Sequence, residues 1–456
     1  MKTIHRLLEK YSLPGPRYTS YPAAPYFSKR FNEKTWREEL ETNQNKERGL
    51  SLYFHIPFCD TLCYYCGCHM VATRNYSRAE SYLHLLMKEI DLTADLISSG
   101  RIVRQIHWGG GTPTYLRPDD IRRLSQHIGR RFTIAPDAEI GCEVDPRELT
   151  EDHIIALKES GFNRLSLGVQ DLDDRVQKSV NRIQPESLVR QVYSWMRKAG
   201  FNSINIDLMA GLPHQTAASF SKTLDKIIDI SPDRLAVFNY AHLPEKIKHQ
   251  KLIQTADLPP FSARIELQIL IHEKLSAAGY ADIGLDHFAR IGDELFKARQ
   301  NKTLWRTFQG YTTHKECDVF GFGVSGISQT EEVYAQNLKT LDAYNERISQ
   351  GKLATERGLR VTLDDKIRRE AIMQIMCDLM LDKDSFSKKW PIDFDGYFSD
   401  ALPELKKLEE DGLTEITPQK IRVTETGQIF LRNIAMVFDF YLKRSTIEKP
   451  KFSQTV

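Results

Sequence analysis

The sequence predicts an α/β fold in which six strand–helix units form a parallel barrel, or a large part of one. An N-terminal arm precedes it and a small helical, winged-helix-like domain follows. Three observations predict this. From residue 50, short apolar runs alternate with stretches of helical period. The unusual residues, namely cysteines, a glycine triplet and isolated acids, fall at the C-terminal ends of those runs, where parallel barrels collect their chemistry. After about residue 362 the alternation gives way to helices and one short hairpin pattern. The expected domains are an arm over 1–49, a barrel with an extension over 50–361, and a C-terminal domain over 362–456.

Residues 1–49 open with a short amphipathic helix, pass through a Pro/Gly/Tyr-rich segment over 15–26, and end in a helix near 33–43. Pro16 and Pro22 fix φ, so an ordered arm is expected more than a flexible tail. Strands are expected at 50–54, 105–108, 139–144, 164–169, 203–209 and 234–239. Helices are expected between them near 78–98, 118–130, 151–159, 185–198 and 219–228. Beyond the barrel, 364–381 and 402–410 read as helices, 413–417 and 421–424 as a hairpin, and 428–444 as a final helix. No basic cluster flanks that hairpin, so its expected role is to cover the barrel mouth and not to bind DNA.

The chain has 456 residues, enough for one large domain and a smaller one. Lys and Arg number 63 against 61 Asp and Glu, and a net charge of +2 gives no electrostatic case for nucleic acid. Residues 1–9 lack the apolar core of an export signal, and no stretch approaches the roughly 20 apolar residues of a membrane span. A cytoplasmic protein is expected. Four of the seven cysteines lie within residues 59–68, an unlikely disulfide framework in a chain of this length.

Those four carry the chemistry. Cys59, Cys63 and Cys66 have the spacing Cys-x3-Cys-x2-Cys on one loop after the first strand. Three thiolates can wrap a cubane [4Fe-4S] cluster and leave its fourth iron open. Structural zinc wants a second Cys-x2-Cys or a His pair, and none follows. The glycines 109–111 lack the Lys and spacing of a phosphate-binding loop, but they permit close backbone approach to a ligand. Glu143 and Asp207 end strands, as do the acids that accept ribose hydroxyls in dinucleotide folds.

The cysteine loop resembles that of the radical S-adenosylmethionine (SAM) superfamily. The segments 15–22 (GPRYTSYP), 107–115 (HWGGGTPTY), 143–147 (EVDPR), 206–213 with Gln215, 238–244 (FNYAHLP), 286–290 (DHFAR) and 308–313 (FQGYTT), with the extra Cys68, narrow it further. Together they resemble the oxygen-independent coproporphyrinogen III oxidases from about Gly15 to the C-terminus. The resemblance implies an incomplete six-unit barrel, with the cluster held by Cys59, Cys63 and Cys66 and the open iron taking the amino and carboxylate groups of SAM. It implies SAM contacts at Tyr53, Tyr65, Gly110, Gly111, Thr112, Glu143, Gln170, Arg182 and Asp207, and a second SAM at Ala241 and Ile327. The implied reaction uses a SAM-derived 5′-deoxyadenosyl radical to turn two propionates of coproporphyrinogen III into vinyl groups.

Within that family reading, Cys68 lies too close to Cys66 for a fourth ligand and is expected to donate a proton or hydrogen atom near the substrate. Arg17, Arg290 and Arg306 are candidates to meet the propionates. Flavodoxin or ferredoxin is the expected electron donor, and a monomer is expected. The chain departs from the family at Met209-Ala210, where Ile-Tyr is common, and at Gly326, where Ala is usual. The competing readings are a radical SAM haem chaperone and a haem methyltransferase or ring-opening relative. Cys68 and the tyrosine-rich arm favour the decarboxylase.

Overall fold

A computed structural model describes residues 2–43, 45, 47–97, 100–444 and 452–455. It divides into two compact units, one formed by Ser28–Ala278 with Glu316–Arg360, the other by Met1–Phe27, Gly279–Lys315 and Val361–Val456. No helix among the described residues is long and apolar enough to cross a membrane.

The first unit is built on β1 (Leu50–Ile56), β2 (Ile102–Gly110), β3 (Thr133–Val144), β4 (Arg164–Gln170), β5 (Ser203–Ala210) and β6 (Arg234–Asn239). Each pairs in parallel with the next. Helices Ser77–Ala94, Pro118–Arg131, Glu151–Glu159, Glu186–Lys198 and Ala217–Ile230 connect them. Every expected unit forms, most strands running longer than expected; Ser98 of the expected helix 78–98 lies outside the described residues. On its other side β1 pairs in parallel with β7 (Asp318–Phe322), and the ladder continues antiparallel through β8 (Ile327–Gln329), β9 (Val333–Asn337) and β10 (Thr355–Arg360). The ladder runs from β10 to β6 in one line, as a partial barrel does. Strands β7–β10 leave no clear pattern in the sequence, because glycines interrupt that stretch at 321, 323 and 326 and erase the alternation.

Strands covered on both faces read as continuous apolar runs. In β1 the apolar set alternates, yet both faces are covered: Leu50, Leu52, Phe54 and Ile56 are buried, and so are Ser51 and His55 on the other face. Helix Ser77–Ala94 buries Ala79, Tyr82, Leu83, Leu86, Met87 and Ile90, a stripe at helical spacing. Its Tyr82 hydroxyl donates to the His55 carbonyl at 2.7 Å and accepts from the Val324 N–H at 3.0 Å. Two turns on, buried Glu89 accepts from the Gly323 N–H (2.7 Å), Asn337 Nδ2 (2.6 Å) and the Tyr344 hydroxyl (2.6 Å). The two residues tie the helix to the turn after β7. Burial raises the Glu89 carboxyl to about 7.

In the second unit Tyr18 and Tyr21 of the N-terminal segment are fully buried. Tyr18 donates to Asp439 Oδ2 at 3.0 Å, and Tyr21 accepts from the Phe440 N–H at 3.1 Å. Arg432 donates to the carbonyls of Gly15, Pro16 and Gln454. Hydrogen bonds therefore hold the segment in order, as the prolines led us to expect. Arg17 bonds Asp286 Oδ2 at 2.5 Å, and Arg306 Nε donates to the Arg17 carbonyl at 3.3 Å.

Further along, Lys420–Val423 pairs antiparallel with both Thr414–Ile416 and Met380–Asp382, giving the expected hairpin a third strand. Two expected helices are corrected. The α-helix Leu363–Met373 and a π turn over Gln374–Asp378 end where Leu379 turns left-handed (φ 54°), so Met380 and Leu381 are strand. The span 428–444 is three short helices, broken at Phe430 and again at Asp439, whose carboxylate caps the N–H groups of Tyr441 and Leu442.

Candidate cluster and cofactor site

The cysteine loop leaves β1 at Ile56, and its first residues Phe58–Cys59 pair with Val71–Ala72. The Val71 N–H donates to the Pro57 carbonyl (2.7 Å) and the Thr73 N–H to that of Cys59 (2.9 Å), closing the loop on itself. Its outer carbonyls are then met one by one. Asn181 Nδ2 donates to Leu62 O at 2.8 Å, Gln250 Nε2 to Tyr65 O at 2.9 Å, and His249 Nε2 to Cys66 O at 2.7 Å. The Tyr65 ring packs with Cys63, Val176, Val180, Leu212 and Ile253 and shields one side of the loop.

The four sulfurs differ in surroundings. Cys59 and Cys63 are buried, while Cys68 is exposed. Burial pushes the Cys59 thiol up to about 12, although Thr112 Oγ1 lies 3.3 Å from its sulfur. A hydrogen bond from Cys68 lowers Cys66 to about 7, and the same bond raises Cys68. Two cations reach Cys63: Arg147 Nη2 at 3.3 Å and Arg182 Nη1 at 3.5 Å. Cys142, Cys317 and Cys377 are buried elsewhere, in keeping with ordinary core thiols.

Beside the loop, β2 ends in the glycine triplet. Gly110 has φ 118°, and a Cβ there would come 2.7 Å from the His55 ring. A Cβ on Gly111 would come 2.7 Å from the Pro57 carbonyl group. The Gly111 and Thr112 N–H groups donate to the Ile56 and Phe58 carbonyls at 2.8 Å each, so the triplet continues the strand edge beside the cysteine loop. His55 Nε2 donates to the His69 carbonyl (2.7 Å), which leaves Nδ1 to accept from the Tyr53 hydroxyl (3.0 Å). Burial lowers His55 to about 4, so the ring is neutral. The Tyr53 ring stacks on His107 at 6.1 Å between centroids.

The acids follow on neighbouring strands. Glu143 ends β3, accepts from the Gly110 N–H at 3.1 Å and keeps 43% of its side chain exposed. Asp207 on β5 accepts from Ser166 Oγ (2.9 Å) and Asn205 Nδ2 (2.7 Å). Burial, reinforced by the Glu143 charge, raises its carboxyl to about 6. Gln170 closes β4 with φ 66°. Arg182 donates to Asp145 Oδ2 (2.9 Å) and the Gly168 carbonyl (2.5 Å), while its buried Nε has no partner. Burial alone would raise Asp145, but Arg182 and Arg147 overcome it and hold the carboxyl well below the usual range. Tyr53, Gly110, Gly111, Thr112, Glu143, Gln170 and Asp207 thus lie on or just after the parallel strands β1–β5.

Ala241 follows β6, and its carbonyl accepts from Gln250 Nε2 at 3.2 Å. Ile327 opens β8, where the next residue, Ser328, accepts from the Gly321 N–H at 3.0 Å; Gly321 is the register partner of Tyr53. Sequence reasoning missed Asn181, His249 and Gln250 as supports of the loop, and it carried Asp145 and Arg147 only inside a motif. His249 and Gln250 lie far from the loop in sequence and belong to no chemical motif.

The donor set fits an iron–sulfur cluster with SAM. Three cysteines share one loop, cationic N–H donors adjoin one sulfur, and a glycine cradle that Cβ atoms would fill lies alongside.

Comparison with known proteins agrees in family and extent. A model of the radical SAM superfamily matches residues 53–227, and one of the HemN C-terminal domain matches 361–430. The chain is 42% identical over 452 residues to the oxygen-independent coproporphyrinogen III oxidase of Pseudomonas aeruginosa, covering 99% of this chain and 98% of that protein. It is 44% identical over 450 residues to the Escherichia coli enzyme of the same name, with the same two coverages of 99% and 98%. The solved structure of coproporphyrinogen III oxidase (HemN) from E. coli, described as a radical SAM enzyme, superposes with a TM-score of 0.90 at 45% identity, covering 93% of this chain and 97% of that one.

Proposed function

The chain belongs to the oxygen-independent coproporphyrinogen III oxidases of the radical SAM superfamily. From that premise we propose that it converts two propionates of coproporphyrinogen III to vinyl groups, giving protoporphyrinogen IX in haem biosynthesis. The observation that carries this reading is the loop of Cys59, Cys63 and Cys66 set beside the Gly110–Gly111–Thr112 cradle at the C-terminal ends of parallel strands. When bound, a [4Fe-4S] cluster with SAM supplies methionine and a 5′-deoxyadenosyl radical, which takes a hydrogen atom from a propionate β carbon before CO2 and one electron leave.

The chain's own residues bind and orient. Cys59, Cys63 and Cys66 ligate three irons, and Gly110, Gly111 and Thr112 receive the methionine end of SAM. Glu143 and Asp207 accept the ribose hydroxyl hydrogens, Gln170 and Arg182 complete the pocket, and Tyr53 and Tyr65 flank it. Ala241 and Ile327 contact a second SAM. Cys68, exposed and kept protonated by its bond to Cys66, holds a proton or hydrogen atom for the substrate. Arg17, Arg290 and Arg306 are the candidate cations for the propionates. A flavodoxin or ferredoxin supplies the low-potential electron, and the enzyme works as a cytoplasmic monomer.

Anaerobic incubation of iron-reconstituted protein with coproporphyrinogen III, SAM and a strong reductant tests the function. Protoporphyrinogen IX and 5′-deoxyadenosine are expected together. 5′-Deoxyadenosine with untouched coproporphyrinogen would mean a different substrate, and neither product from a protein with an intact cluster would move the chaperone reading ahead.

A further inference from the structure

The three cysteines proposed as iron ligands receive different partners. Cys59 has a neutral hydroxyl from Thr112, and Cys66 a neutral thiol from Cys68. Cys63 alone has guanidinium groups: Arg147 Nη2 at 3.3 Å and Arg182 Nη1 at 3.5 Å. Both cations share the single carboxylate of Asp145, so the charge beside this sulfur sums to about +1.

Arg147 is clamped before it reaches the sulfur. Its Nε lies 3.0 and 3.2 Å from the two Asp145 oxygens, its Nη2 lies 2.7 Å from Asp145 Oδ2, and its Nη1 donates to the Asn181 carbonyl at 3.4 Å. The Arg147 N–H also donates to Asp145 Oδ1 at 3.1 Å, fixing the turn that ends β3. A planar fork reaches a carboxylate, a carbonyl and a sulfur from separate nitrogens, whereas an ammonium has its three donors on a single nitrogen. The clamp leaves an Nη2 hydrogen aimed at Cys63. Hydrogen bonds and positive charge at a cluster sulfur favour the reduced, more negative cluster and raise its potential.

We propose that Arg147 is a positioning residue that raises the reduction potential of the cluster through its hydrogen bond to the Cys63 sulfur. The inference rests on the reading that Cys59, Cys63 and Cys66 hold the cluster, and it adds a function for a side chain that the SAM contacts do not use. Asp145 serves as the orienting group for both arginines.

The test is a spectroelectrochemical titration of full-length, iron-reconstituted protein, with iron content measured on each sample. In Arg147→Met, which keeps length but removes both charge and donors, the constant for one-electron reduction is expected to fall about tenfold, or about 59 mV for a one-electron couple. Arg147→Lys keeps the charge without the fork and is expected to fall by about a third of that on the logarithmic scale. If Arg147→Met does not retain iron, Arg147→Lys decides alone. An unchanged potential at wild-type iron content overturns the inference and leaves the cluster reading intact; a wild-type protein that binds no iron overturns both.

Discussion

Two neighbouring thiols are set apart: the Cys68 thiol lowers Cys66 to about 7, and Cys66 in turn raises Cys68. The proposed roles follow the same division, a thiolate at Cys66 for iron and a hydrogen kept at Cys68. Cys59→Ala, Cys63→Ala or Cys66→Ala is expected to abolish the iron–sulfur absorbance. Cys68→Ser is expected to keep the iron and its spectrum but to lose product formation by about a hundredfold or more, read by chromatography. Asp207 carries a pH prediction. Its carboxyl is raised by burial to about 6, and in its proposed role the ionised form, with both oxygens accepting, would hold ribose hydroxyls more tightly than the protonated form. Calorimetry should therefore find SAM binding constant above pH 6 and weakening below it, by at most about tenfold per pH unit. Asp207→Asn should flatten the profile; a wild-type profile already flat from pH 5 to 7 would remove Asp207 from the SAM site.

Among the elements, the cradle and its struts carry the testable mechanics. Gly111→Ala would press a Cβ to within 2.7 Å of the Pro57 backbone, and an overpacked backbone contact costs about 1–3 kcal/mol. A lower melting temperature together with weaker SAM binding is expected. Gln250 satisfies Tyr65 O, Ala241 O and the Leu243 N–H from a buried position. Gln250→Ala is expected to cost about 1–3 kcal/mol and to shorten cluster lifetime against a chelator, because the loop loses an outer strut. Glu89 sets a stability slope. Its folded-state carboxyl binds a proton up to about 7, above the ordinary Glu value, so the folded state holds more protons through that interval and stability falls as pH rises from about 4.5 to about 7. Thermal melts of Glu89→Gln across this range should lack that fall. The six strand–helix units were legible because β1–β6 and their helices keep clean periods. His249, Gln250 and Asn181 were not, since amide and imidazole side chains that meet distant carbonyls leave no pattern in sequence.

For the whole molecule, a linear reading finds the change of pattern near residue 362 but not that Gly279–Lys315 joins the C-terminal residues, or that the arm divides after Phe27. Contacts between distant segments decide that, and composition does not record them. The candidate site was more legible than the rest of the fold because cysteines, glycines and strand-end acids are rare enough to stand out. Its supporting charges, Arg147 and Asp145, stood in the sequence only inside the 143–147 segment, and their link to Cys63 became visible in the structure. In the proposed reaction, radical chemistry begins at a propionate β carbon. Anaerobic turnover of coproporphyrinogen III deuterated at those carbons, with mass spectrometry of the 5′-deoxyadenosine formed, tests this. Deuterium in the 5′-deoxyadenosine, appearing together with vinyl product, is the predicted result; protoporphyrinogen IX formed alongside unlabelled 5′-deoxyadenosine would contradict it.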